Sequence, residues 1–265
     1  MLRGLYTAAA GMISQQRRQE MLTDNMANAS TPGYKADQAS LRTFPSLLIA
    51  ALSQTVENPN LPVNNELATG VYLQEKTLNF LQGDLMETGN NTDMAILNGN
   101  VPEGGMLLFA VETEEGIRYT RNGNFTIDSD GTLVTMQGYP VLDENGNPIT
   151  LNGEDFQLRT DGTLIENGEE LAQINVVLAE NANDLVKEGN GLFRFEGEGG
   201  EPESVVGNPA VTFQLQQRFL ERSNVDPAQT MTDMLNAYRM FEANQAILQS
   251  YDQSLEKAVN EIGRI

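Results

Sequence analysis

Apolar residues at the two ends of the chain recur at helical spacing, whereas those of the middle come in short alternating runs. Near the N-terminus, Leu2, Leu5, Tyr6, Ala9, Met12 and Ile13 fall at steps of three and four, the repeat of one helix face. The repeat weakens after Ser14, Leu22 and Met26 extend it, and Asn28, Ser30, Thr31, Pro32 and Gly33 supply the stop. A helix is predicted over 1–29. At the other end Met234, Phe241, Leu248, Leu255 and Ile262 are spaced by seven, and Ala237, Asn244, Tyr251 and Ala258 follow the first four at three residues. This is the a/d seam of a coiled coil. Ser223 or Asp226 can cap its start and Pro227 suits the first turn. The helix should run from about 227 to 262, roughly 50 Å at 1.5 Å per residue.

The middle, about 93–217, reads as β-structure. Runs such as RYTRNGNFTI, TLVTMQGYPV, QINVVLA and GLFRFEGE alternate with turn clusters. Asn-Gly or Asp-Gly pairs at 98–99, 122–123, 130–131, 145–146, 152–153, 161–162 and 167–168 each suit a tight hairpin turn. Residues 125–134 (FTIDSDGTLV) match 156–165 (FQLRTDGTLI) at an offset of 31. Without a third copy, this predicts two similar hairpins and no solenoid. Within the connection 35–92, Phe44–Leu52 has the pattern of a short amphipathic helix, 56–66 that of a loop, and 69–88 that of pairing strands. The expected class is α+β: paired N- and C-terminal helices, coiled-coil-like, with an inserted all-β central domain. The boundaries are 1–34 for the first helix, 35–92 for an extended connector, 93–217 for the β domain and 218–265 for the last helix.

Charge sharpens this division. The net charge is −21, and residues 43–221 carry seven basic and twenty-eight acidic side chains, so the two ends together are neutral. Copies packed side by side would repel if the acidic middle lay in their contacts. The middle should therefore face solvent and the ends make the tight contacts. One apolar stripe per helix is little burial for its length, so further burial should come from neighbouring molecules. The ends of a lone molecule are then expected to be disordered or loosely helical. Head-to-tail contacts that do not close into a ring build a helical filament.

The inventory removes several chemistries. The chain has no Cys, His or Trp, which excludes disulfides, zinc–thiolate sites and nucleophile–His hydrolases. No basic patch is available for nucleic acid. Asp143, Asn145, Asn147 and Glu154 fit four positions of a calcium-binding loop, but Pro148 stands where glycine is required and the flanks are strand-like. Nothing singles out a carboxylate pair for glycoside hydrolysis, and aromatic residues for sugar stacking are few. The N-terminal stretch is not a cleavable signal, because Arg17 and Arg18 stand in place of a cleavage site.

NMANASTPGYK (25–35) resembles the N-terminal signature of the flagellar axial proteins, and SNVDPAQTMTDMLNAYRMFEANQAILQSYDQSL (223–255) resembles their C-terminal signature. GIRYTRNGNFTIDSDGTLVTMQGYPVL (116–142) and FLQGDLMETGNNTDMAI (80–96) are similar to the central blocks of rod and hook proteins. After Met94-Ala95-Ile96, NGNVPEGGMLLFAV replaces the family's short Gly-Phe-Phe run. The resemblance implies a rod subunit of distal type or a close paralogue, with a hook or junction subunit as the alternative. It implies export through the flagellar type III apparatus without a cleaved signal, to the basal body. There the terminal helices would form the wall of a hollow tube that transmits torque. Partners would be other copies, paralogous rod and hook proteins and the export apparatus, with no nucleic acid, small-molecule substrate, cofactor or enzymatic activity. The contact residues it implies are Leu5, Met12, Asn25, Asn28, Thr31, Gly33 and Tyr34 at the first end. At the second they are Ser223, Asn224, Val225, Met234, Tyr238, Phe241, Glu242, Asn244, Leu248 and Leu255. Glu242 or Asn244 would bond across helices and set the register.

Overall fold

A computed structural model describes residues 2–43, 71–153, 155–197, 200–208 and 210–262. The helix expected at 44–52 and the loop expected at 56–66 lie outside the described residues. The chain divides into two compact units. One comprises Met1–Ala27, Asp37–Thr77 and Asp226–Ile265, the other Asn28–Ala36 and Leu78–Val225.

The first unit is mainly helical. It holds α1 (Leu2–Ala27), the paired strands β1 (Asp37–Thr43) and β2 (Val71–Leu78), and α2 (Pro227–Lys257), which ends in a π-helical turn at Ala258–Ile262. Asp226 starts α2: its carboxylate accepts from the Ala228 and Gln229 amides at 2.9 and 3.1 Å, and Pro227 occupies the first turn. Between Met234 and Ala258 the sheltered positions are 234, 237, 241, 244, 248, 251, 255 and 258, and every other residue is exposed. Those eight positions are the seven-residue pattern of the sequence. Across from them, a Cβ at Gly4 would meet the Tyr251 hydroxyl at 2.2 Å, and one at Gly11 would meet the Asn244 amide at 3.0 Å. Met21 and Leu22 cluster with Ala237, flanked by Met234 and Ala39. Rising numbers on α1 thus meet falling numbers on α2, which is an antiparallel arrangement. The N-terminal stripe divides: Leu5 and Met12 are half-buried, whereas Tyr6 and Ile13 are 67% and 51% exposed.

The second unit is antiparallel β-structure. Its largest sheet has the order β13-β14-β6-β5-β12-β15, formed by Leu185–Lys187, Leu192–Phe195, Gly116–Thr120, Met106–Thr113, Val176–Ala179 and Glu203–Ser204. β5 and β12 are continuous apolar runs because both of their faces are covered. Leu107, Phe109, Val111, Val176 and Leu178 join one apolar cluster, and Met106, Leu108, Ala110, Val177 and Ala179 join another, as the two-residue period of a strand requires.

The internal repeat is a structural repeat. β7 (Phe125–Ile127) pairs with β8 (Leu133–Thr135), and β9 (Phe156–Leu158) pairs with β10 (Thr163–Glu166). Their turns match bond for bond: the Asp128 amide donates to the Thr132 carbonyl and Gly131 to Asp128, just as Arg159 donates to Thr163 and Gly162 to Arg159. Phe125, Phe156, Leu133 and Leu164 fill equivalent places in one core. β10 continues through Asn167-Gly168, both at positive φ, into β11 (Glu169–Gln173). This is the mirror-image turn that such a pair favours.

Three of the Asn-Gly pairs are not hairpin turns; Asn152-Gly153 joins Leu151, whose amide donates to the Gly131 carbonyl, to β9, which pairs with β10. Asn98-Gly99 ends β4 (Met94–Asn98), which pairs with β16 (Phe213–Gln217), and a Cβ at Gly99 would lie 2.4 Å from the Thr212 hydroxyl. At Gly123 a Cβ would lie 1.6 Å from the Met94 carbonyl oxygen. Both glycines allow close backbone approach. The sequence reading passed over Asn190-Gly191, at φ +63° and +73°, which lies in the β13–β14 hairpin.

Candidate assembly site

The N-terminal signature is fixed by polar contacts specific to its residues. Within the helical unit Asn25, which is buried, donates to the Asp37 carbonyl at 2.8 Å and accepts from the Asp37 amide at 2.9 Å. Its side-chain amide thus imitates a backbone pair and ties the end of α1 to the start of β1. Asn28 begins a turn in which its carbonyl accepts from the Thr31 amide at 3.1 Å and its side chain from the Thr31 hydroxyl at 3.2 Å.

Gly33 follows at φ +69°, and a Cβ there would lie 2.6 Å from the Arg121 carbonyl. Glycine is required on both counts. The Gly33 amide donates to the Glu221 carbonyl at 2.8 Å. The Lys187 ammonium lies 4.1 Å from the centre of the Tyr34 ring, a cation–π contact, and donates to the Lys35 carbonyl at 2.6 Å.

The C-terminal signature meets the same segment. Asn224 accepts from the Ala36 amide at 2.8 Å and donates to the Asn79 and Leu81 carbonyls at 2.8 and 3.0 Å, bridging two stretches of backbone. The Ser223 hydroxyl accepts from the Val225 amide at 3.3 Å, and Val225 is buried. Asn28, Thr31, Gly33, Tyr34, Ser223, Asn224 and Val225 are thereby gathered in the β unit.

A buried ionic cluster lies at the centre of this region, and the sequence reading missed it. Glu221 closes β17 (Phe219–Glu221), which pairs with β3 (Leu85–Glu87). One of its carboxylate oxygens accepts from Lys35 at 2.6 Å and from the Gly83 amide at 2.9 Å, and the other accepts from Arg121 at 2.6 Å. Arg121 also donates to the Leu107 carbonyl at 2.6 Å, the Ile96 carbonyl at 2.8 Å and the Asn98 side chain at 2.9 Å. Lys35 also donates to the Leu81 carbonyl at 2.8 Å. All three side chains are at most 2% exposed.

Burial pushes the Glu221 carboxyl up, but the charges of Arg121 and Lys35 override it and hold the group below its ordinary value of 4.5. Burial lowers the Lys35 ammonium, and Arg121 adds to the effect, with Glu221 opposing both. The only advance signal was a set of charges inside apolar runs, and with thirty-seven acidic residues in the chain nothing singles out Glu221.

The remaining predicted residues lie on α2. Met234, Phe241, Asn244, Leu248 and Leu255 occupy the sheltered stripe, and Tyr238 and Glu242 are exposed. A hydrogen bond from Tyr238 to Glu242 raises the tyrosine pKa, so Glu242 is engaged one turn away on its own helix, while Asn244 lies against Gly11 of α1. Large apolar side chains remain outside: Met231, Leu235, Tyr238, Met240 and Ile247 are 45–60% exposed. In the β unit the Asp143 carboxylate accepts from the Asn145 and Asn147 amides at 2.8 and 2.7 Å, closing an ordinary turn. Among the described residues no group of three or more acidic side chains converges as a metal site would need.

Three family models match the chain. "Flagella basal body rod protein" matches residues 5–35, "Flagellar hook protein FlgE/F/G D1 domain" matches 104–194 and "Flagellar basal body rod FlgEFG protein C-terminal" matches 216–261. The flagellar hook-basal body complex protein FlhO of Bacillus subtilis (strain 168) is 42% identical over 272 residues, with all of both chains covered. The chain belongs to the flagellar basal-body rod and hook family. The flagellar basal-body rod protein FlgG of the same bacterium is 32% identical, covering 98% of this chain and 99% of the relative. The flagellar basal-body rod protein FlgF of Caulobacter vibrioides is 29% identical, covering 98% of each. The family is structural, not enzymatic. The ionic cluster takes one residue from each matched region: Lys35 from the first, Arg121 from the second and Glu221 from the third.

Proposed function

We propose that this chain is a structural subunit of the bacterial basal-body rod, polymerising through its terminal helices into a hollow tube. α1 and α2 act as a coiled-coil pair in the tube wall, and the acidic β unit forms the outer part of each subunit. Neighbouring copies and paralogous rod and hook proteins are the partners. The subunit reaches its place through the flagellar export apparatus without a cleaved signal. The assembled tube transmits torque and conducts later subunits.

The observation that carries this reading is the apolar surface that α2 leaves exposed on either side of its seam. Met231, Leu235 and Tyr238, at steps of four and three, remain exposed on one flank of the sheltered seam, and Met240 and Ile247, seven apart, on the other, while the terminal segments have little net charge to oppose close packing. Exposed apolar side chains grouped on both flanks of a long helix suit contacts with neighbouring subunits. The test is to tag the chain and isolate basal bodies from cells carrying the wild type or Leu235→Asp, at a position 51% exposed on α2. The wild type should be incorporated and the variant excluded, with its β unit still folded. Normal incorporation of the variant would remove the helices from the assembly contact.

A hook or rod–hook junction subunit is the second reading. It is favoured by the match to a hook-protein domain and by the name of the 42%-identical relative. Crosslinking in isolated basal bodies separates the two by which axial protein is recovered beside the chain.

A further inference from the structure

We infer that residues 28–36 form a releasable strap: a segment docked on the β unit by polar contacts, able to open while the core of that unit stays folded.

The first argument is the kind of contact that holds it. Among the described residues, no member of 28–36 belongs to either apolar cluster of the β unit. The segment is held instead by the Lys35–Glu221 ion pair, the Lys187–Tyr34 cation–π contact, and hydrogen bonds from Gly33 to Glu221 and from Ala36 to Asn224. Segments with few buried apolar contacts are the ones that open locally.

The second argument is the charge left behind. Docked, the cluster holds two cations and one carboxylate. When Lys35 leaves, Glu221 keeps Arg121 on one oxygen and the Gly83 amide on the other, and Arg121 keeps its three further acceptors. Release therefore strands no charge, leaves a neutral pair, and returns to water an ammonium that burial disfavours. Removing an ion from a buried cluster is costly when it orphans a partner, and here it does not. The opposite order fails, because losing Glu221 would leave two buried cations facing each other.

The third argument is position. The strap lies in sequence between α1 and β1 of the helical unit, yet belongs with the β unit. Opening it lengthens the tether between α1 and β1 without cost to the core strands.

Native-state hydrogen exchange on the full-length protein, in rising sub-denaturing urea, tests this. The reporters are the amides of Gly33, Ala36 and Asn79, which donate to Glu221, Asn224 and Ala36, against amides of β5 and β12. The strap amides should exchange about ten-fold or more faster than the core amides, with little dependence on urea. In Lys35→Met the strap amides should exchange about ten-fold faster still, and they should remain faster than the amides of β5 and β12. Strap and core amides that share one rate and one urea slope in the wild type would overturn the inference, and so would strap amides that exchange no faster in the variant. The wild-type measurement decides the matter even if the variant does not fold.

Discussion

Lys35 and Glu221 are 186 positions apart in sequence and meet at 2.6 Å with both side chains out of solvent. The pair closes the β unit by joining the end of the N-terminal signature to the strand that leads into the C-terminal one. Arg121 on the other oxygen of Glu221 makes the carboxylate the hub, which gives the three members unequal weights.

Glu221→Gln should therefore be the most damaging change in the cluster. It leaves Lys35 and Arg121 buried without a counter-charge, a loss of about 3–5 kcal/mol. Lys35→Met leaves a neutral pair and removes the ammonium's hydrogen bonds to Glu221 and to the Leu81 carbonyl, which keeps Asn224 as a donor, a loss of about 1.5–3 kcal/mol. Urea denaturation of the β unit, followed at the tyrosines, checks the order. Equal losses would contradict the hub role.

The same cluster gives the β unit an acid limit. The Glu221 carboxyl is held below its ordinary 4.5 in the folded protein. A carboxyl with a depressed folded pKa stabilises the fold at pH values above its unfolded pKa, and that contribution is lost as pH falls through the folded value. The wild type should lose stability below about pH 4.5 more steeply than Glu221→Gln. Melting temperatures of both proteins between pH 7 and 3 should converge toward the acid end. Parallel curves would mean that the carboxylate is not linked to folding.

The glycines that permit close approach should be intolerant of any side chain. Gly123→Ala places a Cβ 1.6 Å from the Met94 oxygen, so the β4 contact must break, at a cost of about 3 kcal/mol or more. Gly153→Ala meets nothing within 4 Å and does not need positive φ, so it should change stability by less than about 0.5 kcal/mol. Thermal melts of the two variants make the comparison, and a Gly123→Ala as stable as Gly153→Ala would show that the approach is not close.

What the sequence shows and hides follows from how local each signal is. The stripe from Met234 to Ala258 was legible because a helix face is a periodic, short-range property, and its members are the sheltered ones. The 125–134 and 156–165 hairpins were legible because turn and strand residues are adjacent. Asn98-Gly99 and Asn122-Gly123 misled because glycine serves two purposes, positive φ and the absence of a side chain, and only the neighbouring chain at Thr212 or Met94 tells them apart. Lys35, Arg121 and Glu221 were invisible as a site, since a charged residue reads as surface until distant strands close around it. Asn224 was found through its signature, but its bridge to Ala36, Asn79 and Leu81 needed three-dimensional proximity.

Leu248→Asp should separate assembly from folding. Leu248 lies in the sheltered stripe of α2, in the helical unit, and the apolar clusters of the β unit are built from other residues. The variant should retain the β-unit melting transition within about 1 °C, a shift worth a few tenths of a kcal/mol at most, while cells carrying it lose motility. A motile strain would mean that the seam is not needed in the assembled structure.

The chain has no cysteine, so single introduced cysteines report contacts without background. Ile13→Cys and Ile247→Cys lie on exposed positions of α1 and α2, and Met136→Cys lies on an exposed position of the β unit. In isolated basal bodies, a short thiol crosslinker should join the first two variants to neighbouring axial subunits and leave the third as a monomer band. Incorporation of all three variants with crosslinking only at position 136, or at none, would contradict assembly through the terminal helices.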